Sequence, residues 1–326
     1  MNRPFERATA QFRGLSIGQK TLAKSAVIFI VLFIVATILS QGKFIQPTNL
    51  LNLNVQNILL GVVALGQFLV IVTGGIDLSI GSIIGFTSVS IVLLQGLGVV
   101  PAILISLLIA GIFGLINGAL ITYVRLPAFI VTMATMQIIY SATQIISGGA
   151  AVYKGFGGAE INSAMLGFYK TEIAGIDVPL LLYALIILIV YLYMRTSIGH
   201  YTYAVGGNET AAHIAGLPTR VVKMTTYFVS ALLAGVGGLI YILRVGEGNP
   251  QAGTTFPLDS VAAVVVGGAS LSGGIGTLAG TVVGVLTISV LGNVLNLLTI
   301  SPMLQSAIKG VVILLAVYMN TQRKET

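Results

Sequence analysis

The sequence predicts an all-α integral membrane protein of about ten transmembrane segments, and three observations predict it. Of 326 residues, 56% are hydrophobic and only 8% are charged, against about 25% charged in an ordinary soluble domain. Mean hydropathy is +1.01. The apolar residues also fall into runs close to the roughly 20 residues that a helix needs to cross a hydrocarbon core of about 30 Å. A water-soluble domain is excluded. With no Cys, disulfides, Cys metal sites and thiol redox chemistry are excluded too.

In chain order the segments fall at 25–41, 49–73, 77–95, 99–123, 127–147, 179–194, 224–243, 258–271, 276–298 and 303–320. The eighth is too short to cross alone and reads as a half-span. Pro101, Pro127, Pro179, Pro257 and Pro302 stand at or just before segment starts, where the missing N–H costs nothing. The organisation is a basic tail (1–24), one transmembrane domain (25–320) and a short tail (321–326).

Ten crossings put both termini on one side. Eleven of the sixteen basic residues share that side: Arg3, Arg7, Arg13, Lys20, Lys24, Arg125, Arg195, Arg220, Lys223, Arg323 and Lys324. Lys and Arg collect on cytoplasmic loops, so the termini are expected in the cytoplasm. The stretch before the first span is too long for a signal-peptide n-region and reads as an uncleaved tail.

Two connections are long. The external loop, 148–178, carries Lys154, Glu160, Lys170, Glu172 and Asp177 and is either a docking surface or a solvated loop. The cytoplasmic loop, 195–223, encodes a short helix. Asn208 caps it, residues 209–215 tolerate it, Gly216 ends it and Pro218 prevents its continuation.

Glycine is abundant, at 40 residues. Small-xxx-small spacing at Gly81/Gly85, Gly114/Gly118 and Gly276/Gly280/Gly284 suits close helix packing within the bundle or between chains. Two glycine runs instead look like breaks, TGGIDLSIGS at 73–82 and GGASLSGGIG at 267–276. They occupy similar places in two halves offset by five crossings, which implies inverted topology and points to a pathway near the midplane.

Intramembrane ionisable groups are few: Asp77 in the first break, Asp259 at the head of the half-span and Lys309 in the last span. Asp77 is positioned to cap the third segment, and Asp259 invites the same account. Lys309 either snorkels or pairs with a carboxylate. So few acids weaken a proton or sodium relay. Neutral amides are commoner, and they both donate and accept, as a sugar hydroxyl requires. Asn57, Gln67, Gln137, Gln144, Asn293 and Asn296 are the pathway candidates, the alternative being that they bond one another or neighbouring helices. No Walker A loop and no dinucleotide fingerprint occurs, and His200 and His213 lack companion ligands. The chain is expected to be no enzyme, to bind no cofactor or metal and to have no nucleic-acid partner.

The strings TGGIDLSIGS (73–82), AVGGNETAAHIAG (204–216), DSVAAVVVGGASLSGGIGT (259–277) and IKGVVILLAV (308–317) occur in that order. Together they resemble the permease subunit of ribose/xylose/galactose-type ABC sugar importers, from about Phe44 to Val317. The resemblance implies a type II importer fold in the bacterial inner membrane. It also implies a second permease chain, identical or related, an ABC ATPase that carries the ATP, and an external sugar-binding protein. Gly206, Gly207, Asn208, Glu209, Ala211, Ala212 and Gly216 would engage the ATPase. Gly74, Gly75, Asp77, Leu78 and Ser79, with Asp259, Gly267 and Gly268, carry the signature. The alternative is an ion-coupled or passive secondary sugar carrier acting without an ATPase.

Overall fold

The computed structural model describes residues 17–154, 157–158, 161 and 163–321. The helices are α1 (Ile17–Leu39), α2 (Pro47–Val72), α3 (Ile80–Leu94), α4 (Val99–Thr122), α5 (Ala128–Ser147), α6 (Ser163–Tyr169) and α7 (Val178–Arg195). They continue with α8 (Ser197–Gly207), α9 (Glu209–Ile214), α10 (Thr219–Val245), α11 (Phe256–Val266), α12 (Leu278–Leu297) and α13 (Pro302–Thr321). Among the described residues, eight helices are long and apolar enough to cross a membrane: α1 to α5, α7, α10 and α12. The 11-residue α11 is the expected half-span, and α13 supplies a further 20-residue segment. Helix α1 starts about two turns before position 25, so Lys20 and Lys24 ride on a helix and not on a tail. Arg3, Arg7, Arg13, Glu160, Arg323 and Lys324 lie outside the described residues.

Local chemistry explains the helix ends. Proline occupies the first turn of α2, α7 and α11, where no intrahelical N–H is needed. Thr196 caps α8 by accepting from Gly199 N at 3.2 Å, and Thr277 caps α12 by accepting from Gly280 N at 2.9 Å. Helices α5 and α10 end on left-handed glycines, Gly148 and Gly246.

Helices α2 and α3 form the buried centre. One side of α2 (Leu65, Phe68, Leu69, Val72) packs on Val261–Val266 of α11. The other side (Ile58, Val62, Val63) packs with Ile80, Ile83 and Ile84 of α3 and Ala231 and Ala234 of α10. Helices α1, α4, α5 and α7 turn most of their apolar length outward, with Ile38, Leu108, Ile145 and Leu192 all exposed. In a bilayer this is the solvated arrangement, because lipid tails are as apolar as leucine. The small-residue stripes serve packing within this chain. Gly114 and Gly118 meet Tyr227, Phe228 and Met224 of α10, and Gly280 and Gly284 meet Gly267 and Ala263 beside α12.

The repeat differs from the expected one in a specific way. Helices α2 and α10 have 26 and 27 residues, and each is followed by an irregular segment and a shorter helix, α3 or α11. Then come α4 or α12, and α5 or α13. The counterpart of the first break is therefore 246–255, and the glycine run at 267–276 corresponds to the turn between α3 and α4. With Glu247, Asn249 and Gln251, the segment 246–255 has the composition of a solvated loop. It instead descends along α3, bringing Gly248 against Ser88 and Val89, Pro250 against Gly85 and Gly253 against Gly81. Ser88 Oγ fastens it, donating to Asn249 O at 3.1 Å and accepting from Asn249 N at 3.0 Å. As a result the first turn of α3 and the first turn of α11, at Pro257, meet inside the bundle.

The connection between α5 and α7 is partly folded. It contains α6, a hairpin pairing Glu172–Ile173 with Ile176–Asp177, and a bridge from Val152 to Gly248. Tyr169 of α6 is buried. This cover is thus tied to the descending segment, and burial pushes the Tyr169 phenol above its ordinary range.

Candidate translocation and coupling site

Asp77 is fully buried in the first break. Its carboxylate accepts from Ser79 N at 3.0 Å, Ser79 Oγ at 2.6 Å and Ser230 Oγ of α10 at 3.0 Å. Asn117 of α4 donates to Ser79 Oγ at 2.9 Å. The Gln67 amide, oriented by its hydrogen bonds, donates to Asp77 O at 3.0 Å and accepts from Asp77 N at 3.3 Å. Asp77 does not cap α3 itself: the residue before the helix is Ser79, no side chain caps the first turn, and Asp77 instead holds Ser79 in a network that ties α2, α3, α4 and α10 at one point. Asn117 and Ser230 were missed by sequence reasoning. A lone amide in the apolar fourth span was a usable signal for Asn117, whereas Ser230 offered none.

Three of the four sequence motifs converge on a junction of glycines. Gly274 N donates to Val72 O, the last residue of α2, at 2.9 Å. A Cβ at Gly206 would be driven into that same carbonyl and would lie 2.6 Å from Gly274 N. A Cβ at Gly273, whose φ is +82°, would lie 2.6 Å from Gly206 O and 2.9 Å from Gly74 N. Tyr203 of α8 adds a hydrogen bond to Gly276 O at 3.1 Å. Helix α8 was not anticipated. The reading of 195–223 found the short helix α9 but missed the 11-residue helix before it.

Helix α9 begins on Asn208, whose Oδ1 accepts from Ala211 N at 2.9 Å, and is followed by Gly216 at φ +81°. Ala212 is buried with Val205 and Val222, so it seats the helix and does not face outward. Glu209 pairs with Lys223 of α10, while Ile214 stands 81% exposed. A cavity of about 550 Å³ lies beside α9. Its wall includes Thr73, Gly74 and Gly75 of the first break, Arg125, Glu209, Arg220 and Tyr227. The signature break and the capped helix therefore share one chamber on the side that the basic residues mark.

The pathway candidates separate. Gln67 belongs to the Asp77 network. Asn293 and Asn49 exchange two hydrogen bonds of 3.0 Å, and Asn296 accepts from Gln305 at 2.8 Å. Gln144 donates to Tyr140 at 2.6 Å. These four are engaged with neighbouring side chains or backbone. Gln137 lines a cavity of about 170 Å³ with Ser82, Tyr140, Thr254 and Pro257, where the first turns of α3 and α11 meet. Asn57 lines another, of about 220 Å³, with Gln56, Arg244, Asp259 and Lys309. Asp259 does not act as a helix cap through its side chain. Its Oδ2 accepts from Lys309 Nζ at 2.9 Å, the pairing that was one of two expectations for Lys309.

A multi-pass helical bundle with two interrupted helices meeting in its interior and a capped helix on its basic side is a membrane permease. The chain belongs to the family described as branched-chain amino acid transport system / permease component, whose model matches residues 49–317. It is 39% identical over 300 residues to the ribose import permease protein of Bacillus subtilis (strain 168), covering 90% of this chain and 92% of that one. It is 34% identical over 305 residues to the ribose import permease protein of Escherichia coli (strain K12), covering 92% and 94%. The D-allose transport system permease protein of the same strain is 31% identical over 303 residues, covering 91% of each. No solved structure matches.

Proposed function

We propose that this chain is the membrane-spanning subunit of an ATP-binding cassette importer that passes a monosaccharide or related polyol into the cytoplasm. The observation that carries this reading is the match, over nearly the whole of each chain, to permeases named for ribose and allose import. The chemistry of the cavity between α3 and α11 supports a neutral cargo: Ser82, Gln137, Tyr140 and Thr254 present hydroxyls and an amide, with no carboxylate or ammonium among them.

Energy enters from a partner. With no Walker A loop here, ATP is held by an ATPase that grips α9, whose exposed Ile214 offers the apolar contact. Gln137 and Ser141 lie exposed on α5 at bilayer depth, where lipid offers them nothing to bond. A second permease chain covers that face and the pathway runs beside it. An external sugar-binding protein docks on the side of α6, and both termini lie in the cytoplasm of a bacterial inner-membrane protein.

The test is reconstitution in proteoliposomes with the ATPase and the external receptor. Import of a labelled monosaccharide that requires ATP supports the reading. Flux through vesicles containing this chain alone, abolished by an ionophore and indifferent to ATP, would assign it instead to the secondary carriers.

A further inference from the structure

The outer half of the bundle holds a cavity whose chemistry the capping and coupling motifs do not use. It has a volume of about 220 Å³ and is bounded by Gln56 and Asn57 of α2, Arg244 of α10, Asp259 of α11 and Lys309 of α13. Gln56 stands three turns into α2 and Lys309 two turns into α13, so the cavity lies below the external surface. Charge at this depth is costly unless it is paired and reachable by water. Both conditions hold: Lys309 Nζ meets Asp259 Oδ2 at 2.9 Å, and the two side chains retain 25% and 13% of their exposure.

The donors and acceptors are arranged for a ligand. Asp259 Oδ1 has no hydrogen-bond partner among the described residues. Asn57 spends its Nδ2 on Leu53 O at 2.7 Å, which leaves its Oδ1 as an acceptor with no donor among the described residues. Arg244 is held at the rim by donating to Gln56 O at 3.1 Å. The cavity thus offers carboxylate and amide acceptors beside ammonium and guanidinium donors. A vicinal diol, whose hydroxyls both donate and accept, matches that mixture.

We propose that this cavity is the outer binding site for the cargo, with the Asp259 carboxylate and Asn57 amide accepting from a vicinal diol and Lys309 donating to it. This rests on the sugar-importer reading above. It separates two polar stations along the chain, an ionic one between α11 and α13 and a neutral one between α3 and α5.

The test uses the complex of permease and ATPase in nanodiscs, without the receptor, so that binding to the permease itself is read. Saturation-transfer NMR with ribose and allose as probes is expected to show contact in wild type and at least a tenfold loss in Asp259→Asn and in Asn57→Ala. The charge-swapped pair Asp259→Lys with Lys309→Asp is expected to restore neither ribose contact nor uptake. Recovery of both by the swap would make the pair a structural latch and overturn the proposal. Unchanged ribose contact in Asp259→Asn would overturn it as well. If Asp259→Asn fails to assemble, Asn57→Ala, which leaves the ion pair intact, decides in the same two directions. Uptake distinguishes the levels. Variants that import like wild type remove only this site, whereas a wild-type complex that imports no monosaccharide removes the sugar-importer reading itself.

Discussion

Adjacent glycines at the end of α8 should respond oppositely to the same substitution. In Gly206→Ala the new methyl is forced into the Val72 carbonyl and to 2.6 Å from Gly274 N, both of them backbone atoms that no rotamer change can move aside. Overpacking of this kind costs about 1–3 kcal/mol, and the bond from Gly274 N to Val72 O, 2.9 Å in the native junction, is worth about 0.5–1.5 kcal/mol more. The expected loss is about 3 kcal/mol, or roughly 100-fold in the folding equilibrium. In Gly207→Ala the methyl meets nothing within 4 Å, and alanine in a helix is worth up to about 1 kcal/mol over glycine. Thermal unfolding of both variants in one detergent is the assay. Gly206→Ala should melt well below wild type and Gly207→Ala at or slightly above it. Equal stability of the two variants would refute the argument that backbone contact at the junction holds α8 against α2.

Asp77→Ala strands Ser79 N, Ser79 Oγ and Ser230 Oγ, each costing about 1–3 kcal/mol when left unpaired. It should reduce the yield of folded protein sharply, whereas Asp77→Asn, which keeps an acceptor for Ser79, should cost about 2 kcal/mol in an unfolding titration. Ile214→Asp alters a side chain that touches little of this chain. It should leave melting unchanged while abolishing copurification of the ATPase, and retained copurification would count against α9 as the grip. Gln137→Leu replaces an exposed amide. It should leave stability alone and lower uptake about tenfold, the worth of one hydrogen bond of about 1.4 kcal/mol, and undiminished uptake would remove Gln137 from the pathway.

The spans were legible because a bilayer imposes a single length on every crossing, and runs of Leu, Ile and Val report it directly. Helix α9 was legible because Asn208, Gly216 and Pro218 are local punctuation. Helix α8 was not, since SIGHYTYAVGG carries three glycines and no strong apolar period, and its stability comes from seating against α7 and α10. The descending segment 246–255 was hidden for a similar reason. Its Glu, Asn and Gln look solvated, and only the pairing of Ser88 with Asn249, 161 positions apart in sequence, shows that it enters the bundle. Asp77 was found as an isolated intramembrane acid, yet its partner Ser230, and Asn117, which reaches it only through Ser79, come from distant helices, and no spacing in the chain links them. The Asp259–Lys309 pair was open in the sequence for the same reason: each residue was visible, and the 50-residue separation between them was not informative.

The same contacts determine how motion can pass through the molecule. Helix α9 is only six residues long and is fixed at its start by Asn208, on its inner face by Ala212 and toward α10 by Glu209. It cannot shift without carrying α8. Helix α8 in turn lies against the end of α2 and the 267–276 run through glycines, where backbone touches backbone. Side chains can absorb a displacement by changing rotamer, but a glycine contact has none to change, so the displacement is handed on. On the far side of the first break, Asp77 is bonded to α10, and through Ser79 it is linked to α4, so the segment between the junction and that network is the part obliged to bend. Thr73, Gly74 and Gly75 form that segment, with Gly74 at φ +80° and the cavity beside α9 giving it room. A bulky residue at Gly75 would strike the Tyr227 hydroxyl. At Gly206 the obstacle is backbone and at Gly75 it is a side-chain hydroxyl, so the first glycine keeps the junction stiff and the second leaves the bending segment clear of Tyr227.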